Sequence, residues 1–124
     1  MQNDLEERLR FFANEGLVDA AIVSLIRKVI MGFESEFDFN ASDDVLGPLV
    51  AHLLIALERI RRDEDIGEAW DPNVHEEALG HPYAYVWAER IARMALMELT
   101  IVVPSKEIDF IGLHVGSFLK RIKH

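Results

Sequence analysis

Two histidines stand where their chemistry is most useful. In Glu107-Ile108-Asp109-Phe110-Ile111-Gly112-Leu113-His114 a carboxylate opens a helical pattern, apolar residues run for a turn and a half, and an imidazole follows between Gly112 and Gly116. Each glycine weakens a helix interior by about 1 kcal/mol relative to alanine, so something must approach the backbone beside His114, either a donor protein or a facing helix. His52 is the only ionisable side chain between Asp44 and Glu58, within Leu49-Val50-Ala51-His52-Leu53-Leu54-Ile55-Ala56-Leu57. Imidazole is neutral near pH 7 and carries a nucleophilic nitrogen. It can therefore take a phosphoryl group as a reactive phosphoramidate and return it.

The plainer reading is a core histidine bonded to a carbonyl or carboxylate elsewhere. Helical neighbours supply little. Three and four positions from His52 lie Pro48, Leu49, Ile55 and Ala56; those around His114 are Phe110, Ile111, Ser117 and Phe118. A partner for either ring has to come from another helix, another subunit or water.

A phosphoryl group adds about -1.5 to -2 charge and calls for a nearby cation. Arg59, two turns from His52, is a candidate, as are Arg90 and Arg93; ordinary solvated surface charge is the competing reading. Other constellations carry less. His75-Glu76-Glu77 with His81 lacks the paired histidine spacing of a helical zinc site, because Leu79 occupies the fourth position, so no metal and no cofactor are expected. Trp70, Trp87, Tyr83 and Tyr85 read as core rather than as a ligand pocket. No glycine-rich phosphate loop, nucleophile elbow or carboxylate pair is present, which leaves an enzyme unsupported.

The chain has 124 residues, half of them apolar, enough for one domain with a sizeable core. Thirteen Lys and Arg against 22 Asp and Glu give a formal charge of -9, which argues against direct nucleic-acid contact, since that affinity rests on cations neutralising phosphates. There is no cysteine. The first ten residues contain Asp4, Glu6, Glu7, Arg8 and Arg10, unlike a signal peptide. The apolar run Val45 to Leu57 is shorter than the roughly 20 residues of a membrane span, and Gly47-Pro48 interrupts it. A cytoplasmic protein without membrane attachment is the expectation.

The elements that must position these residues are helical. Leu5, Leu9 and Phe12 define a first helix that stops at Asn14-Glu15-Gly16, with Gly16 in the left-handed conformation. A second is expected over Val18 to Phe33, followed by a loop over Glu34 to Ser42. Asp43 or Asp44 caps a third, although Gly47-Pro48 permits a later start with Pro48 in the first turn, and it ends near Arg62. Asp63 to Asn73 reads as an acidic connector, and Asn73 as the cap of a short helix ending near Gly80. Another helix starts at Pro82, and Ser105 caps the last, Lys106 to Lys120. The basic tail Lys120 to His124 reads as a dipole-complementing helix end. Thr100-Ile101-Val102-Val103 is the one β-branched run, and it lacks a partner. The fold expected is all-α, a compact bundle of five to six helices forming a single domain over residues 1–124.

Two segments resemble the phosphotransferase-system regulation domain, the PRD, found in bacterial antiterminators and transcriptional activators. His52-Leu53-Leu54-Ile55-Ala56-Leu57-Glu58-Arg59 is similar to the family's His-Leu-x-x-Ala-x-x-Arg segment. Pro104 through Gly116 is similar to its Pro-x-x-Glu helix ending in histidine, and His81-Pro82-Tyr83-Ala84-Tyr85 looks like its Tyr-Pro-x-Ala-Tyr stretch.

The resemblance implies a helical bundle that pairs with itself and whose histidines receive phosphoryl groups from the sugar phosphotransferase relay. His52 and His114 are then the phosphoacceptor candidates, with Arg59, Glu107, Gly112 and Gly116 in support. The implied partners are phosphocarrier or sugar-specific components of that system and a second copy of the chain. Family regulators carry an RNA-binding or DNA-binding module and two such domains, whereas this length accommodates one. A free-standing domain would serve transcription or antitermination control through self-association or a protein partner. The alternatives are a structural or adaptor domain with unmodified histidines, and a histidine phosphotransfer module of two-component signalling, whose His-x-x-Lys-Gly is missing here.

Overall fold

The computed structural model describes residues 1–64 and 70–122, which form six helices: α1 (Asn3–Asn14), α2 (Ala20–Phe37), α3 (Asp43–Arg61), α4 (Pro72–Leu79), α5 (Pro82–Leu99) and α6 (Ser105–Ile122). No strand occurs among the described residues. Helix α6 packs against α3, α4 and α5, while α2 lies against α1, α3 and α5. The two helices that carry His52 and His114 are therefore direct neighbours.

The ends of the helices follow from local chemistry, with several shifts from expectation. Gly16 takes φ 69° as expected. Asp19 caps α2 by accepting from the Ala21 N–H at 2.8 Å. That helix runs four residues beyond Phe33 because the aromatic rings continue to pack: Phe37 stacks on Phe33 at 6.2 Å and meets Phe118 edge-on at 6.0 Å. Asp38, at φ 51°, ends it. The cap of α3 is Ser42, whose hydroxyl accepts from Val45 N–H, and the expected caps Asp43 and Asp44 lie in the first turn. There Asp43 pairs with Arg8 through two bonds, at 2.6 and 2.9 Å. Asp71, two residues before the expected cap Asn73, caps α4, and Ser105 is already helical in α6. Ile101 and Val103 are buried while Val102 is 71 % exposed, so the β-branched run is an extended link between α5 and α6. Part of the acidic connector, 65–69, and the last two tail residues lie outside the described residues.

The core is assembled from Leu5 and Leu9 of α1, the Ile22 to Phe33 face of α2, and Leu46, Leu49, Leu53, Leu54 and Leu57 of α3. Facing them are Trp87 and Ile91 of α5 and Ile111, Val115 and Phe118 of α6. Each large side chain buried this way contributes about 1.5–3 kcal/mol. Trp87 belongs to this core as expected, 4.3 Å from Phe33, whereas Tyr83 and Trp70 are about half exposed. At the far end of α3 the buried Glu58 accepts from Asp19 N–H, Arg61 and Arg62, tying α3 to the start of α2. Burial pushes its carboxyl up, but Arg61, the Asp19 N–H and Arg62 outweigh that and hold its pKa down at about 2.

Candidate functional site

Helix α3 buries one face and turns a second, along His52, Ile55, Ala56 and Arg59, toward the side where α6 begins. Those four residues and Glu107 line a cavity of about 170 Å³. Glu107 sits in the first turn of α6 and is 5 % exposed. The His52 Nε2–H donates to its Oε1. A carboxylate only accepts, so this bond puts the proton on Nε2 and leaves the lone pair of His52 on Nδ1. The missing partner of His52 thus comes from another helix of the same chain.

His114 follows Glu107 by seven residues, close to two full turns, so the two share one line along α6. That line faces α3. The rings of His52 and His114 lie with centres 4.6 Å apart and planes inclined by 33°. Burial lowers the pKa of His114 below the usual imidazole range; the neighbouring His52 adds to this, and Glu107 opposes it. At neutral pH His114 is the uncharged, nucleophilic form. It opens into a separate cavity of about 290 Å³, with Ser117, Lys120 and Arg121 on its wall.

Of the sequence-derived candidates, His52, His114, Glu107 and Arg59 come together. Gly112 and Gly116 do not face this site. Two residues to either side of His114, they look the other way: a Cβ at Gly112 would lie 3.4 Å from Tyr85 Cδ1, and one at Gly116 would lie 3.5 Å from His81 Cγ. Of the two readings for these glycines, the structure supports the facing helix. Arg90 lies over Trp87 at 4.4 Å, with Glu36 4.0 Å away, and Arg93 is exposed on α5; neither lines the histidine cavities.

Two features escaped the sequence reading. Asp109, two residues after Glu107 and so about 200° around α6, is 1 % exposed and accepts from the Nδ1–H of His75 at 2.8 Å. Its second oxygen has no hydrogen-bond partner among the described residues. Burial and the Asp109 charge raise the pKa of Tyr85 alongside. The signal was a second carboxylate set among Ile108, Phe110 and Ile111. Arg121 is the other: it repeats after His114 the spacing of Arg59 after His52. No group of three metal-ligating side chains occurs among the described residues, and no helix there is long and apolar enough to cross a membrane.

Comparison with known proteins agrees with this arrangement. The sequence model of the PRD domain matches residues 27–118, which include α3, α4, α5 and all of α6 up to Phe118. No curated protein and no solved structure matches the chain. With well over half its length matched, and with both histidines inside the match, this chain belongs to the PRD family, the regulatory domains tied to the sugar phosphotransferase system.

Proposed function

We propose that this domain senses the activity of a sugar phosphotransferase system through phosphorylation of His52 and His114, by phosphocarrier or sugar-specific components of that system. It acts as a receiver rather than an enzyme, and it signals in transcription or antitermination control through self-association or a protein partner. The observation that carries this reading is the contact between the two imidazoles, one anchored by a buried carboxylate and the other kept neutral. In each transfer the bond from phosphorus to the donor's side chain breaks as a bond forms to the lone-pair nitrogen of the acceptor. Two dianionic groups on rings this close repel each other, so the modification acts directly on the α3–α6 contact.

Pairing with a second copy does not draw on the apolar stretch Leu49 to Leu57 that surrounds His52. Leu49, Val50, Leu53, Leu54 and Leu57 are covered by the chain's own helices, each at most 2 % exposed, and Ile55 alone of the large side chains there turns outward. Pairing of two copies therefore rests on other surfaces. Light scattering at micromolar concentration, with and without phosphate, measures it directly.

Incubation with the general phosphorelay proteins and phosphoenolpyruvate tests the reading. The expected result is acid-labile phosphate that maps to His52 and His114 and is lost site by site in His52→Ala and His114→Ala. No label from any phosphorelay donor, or label confined to other residues, overturns the reading and leaves an adaptor domain with structural histidines.

A further inference from the structure

Each of the two histidines is followed seven residues later by an arginine, His52 by Arg59 and His114 by Arg121, and each arginine lines the same cavity as its histidine. At that spacing imidazole and guanidinium lie on one line along the helix. Long helical side chains lean back toward the N-terminus, and hence toward the histidine. The cavity at His114 also carries Ser117 and Lys120 and is lined by no carboxylate among the described residues, in a chain of formal charge -9. About 290 Å³ is ample for a phosphoryl group.

Arg121 is already engaged. Its Nη1 donates to the main-chain carbonyl of Asp44 at 2.6 Å. That carbonyl lacks its helical donor because Pro48, four residues on in α3, has no N–H to give. A neutral carbonyl is a weaker acceptor for a guanidinium than a phosphoryl dianion, which takes two of its N–H groups at once.

We propose that Arg121 is the phosphoryl-binding residue of His114, and that it exchanges the Asp44 carbonyl for phosphate when His114 is modified. The inference rests on the phosphoacceptor reading of His114 and adds its counter-charge and its mechanical consequence. Phosphate at His114 removes the bond that ties the end of α6 to the first turns of α3. Ser117, one turn from His114, and Lys120 complete the cradle.

The test uses potassium phosphoramidate, which needs no carrier protein: an imidazole nitrogen attacks phosphorus, the bond to the amino group breaks, and ammonia leaves. Labelling is followed at each histidine by mass spectrometry. Arg121→Gln is expected to slow labelling of His114 on the order of tenfold, the loss of one charge-assisted contact, while His52 changes less than about twofold. Arg121→Lys falls between. Pro48→Ala restores an N–H for the Asp44 carbonyl, frees Arg121, and is expected to speed His114 labelling by about twofold or more, a gain that loss of folding cannot mimic. Equal labelling of His114 in Arg121→Gln and the unaltered protein overturns the inference, as does a loss shared equally by His52 and His114. An unchanged rate in Pro48→Ala overturns the exchange. If His114 of the unaltered protein takes no phosphate from phosphoramidate or from the phosphoenolpyruvate-driven carriers, the phosphoacceptor reading itself fails.

Discussion

His52 and His114 lie ring to ring, 4.6 Å between centres, yet only His52 has a carboxylate bonded to it. A proton or phosphate on one is felt by the other. In NMR titration the His114 imidazole is expected to titrate below the ordinary histidine range, because burial and then His52 disfavour its charge. In His52→Ala it moves up, since a like neighbour is gone and Glu107 is freed to favour the cation. The linkage has a definite sign. As pH falls from the unfolded histidine value toward the lowered folded one, the unfolded chain binds a proton that the folded chain refuses, so His114 subtracts stability across that window. A His114 titration unchanged by His52→Ala removes the coupling.

Glu107 separates the anchoring of His52 from its chemistry. Glu107→Gln keeps an oxygen that accepts from Nε2–H, and a change of less than about 1 kcal/mol is expected in urea unfolding. Glu107→Ala leaves the His52 N–H without its acceptor and costs about 1–3 kcal/mol. Equal destabilisation by both substitutions is evidence that the carboxylate charge, not the hydrogen bond, holds the ring.

At Gly112 and Gly116 the distances to α5 and to His81 set the outcome. An added Cβ would stand 3.4 and 3.5 Å from its nearest neighbours, ordinary van der Waals contact. Gly116→Ala is therefore expected to raise stability by up to about 1 kcal/mol through helix propensity. Beside Gly116 lies a cavity of about 280 Å³ that it shares with His81, Tyr83 and Leu119, so the longer side chain of Gly116→Leu is expected to cost no more than about 1 kcal/mol. Thermal unfolding of the pair checks this, and a destabilised Gly116→Ala contradicts it.

Glu58 makes the fold acid-sensitive. Held at about 2 against an ordinary 4.5, its carboxylate stabilises the folded state fully above the ordinary value. That stability is lost as pH falls from about 4.5 toward 2. With Arg61 and Arg62 nearly half exposed, the contribution is about 2 kcal/mol. Glu58→Gln is expected to lose it at neutral pH and to flatten the acid limb of a stability-against-pH curve. An acid limb identical to that of the unaltered protein rules this out.

The helices were legible because their apolar periodicity is long and clean, as in Ile22, Leu25, Ile26, Val29 and Ile30. Their ends were less so. The extension of α2 to Phe37 depends on Phe118, which is distant in sequence, and Ser42 rather than the adjacent acids caps α3. At the site, His52, His114, Glu107 and Arg59 were named from local pattern, but which carboxylate meets which ring is a tertiary fact. Glu107 could be paired with His52 only once α6 was laid beside α3. Asp109 and His75 went unmatched because α4 is short and its own neighbours, Glu76 and Glu77, drew attention to metal chemistry instead.

Glu107 and Asp109 leave α6 on nearly opposite sides, and each holds a histidine on a different neighbour, His52 on α3 and His75 on α4. Two latches at opposite azimuths near one end of a cylinder resist roll in both directions while adding little resistance to bending at the far end. The start of α6 is thus latched on two sides, whereas its far end is held to α3, among the described residues, by the single hydrogen bond from Arg121 to the Asp44 carbonyl. Releasing the His52 latch alone leaves a hinge on the His75 side. The helix would then swing away from α3 rather than away from α4, which gives the motion a direction as well as a trigger.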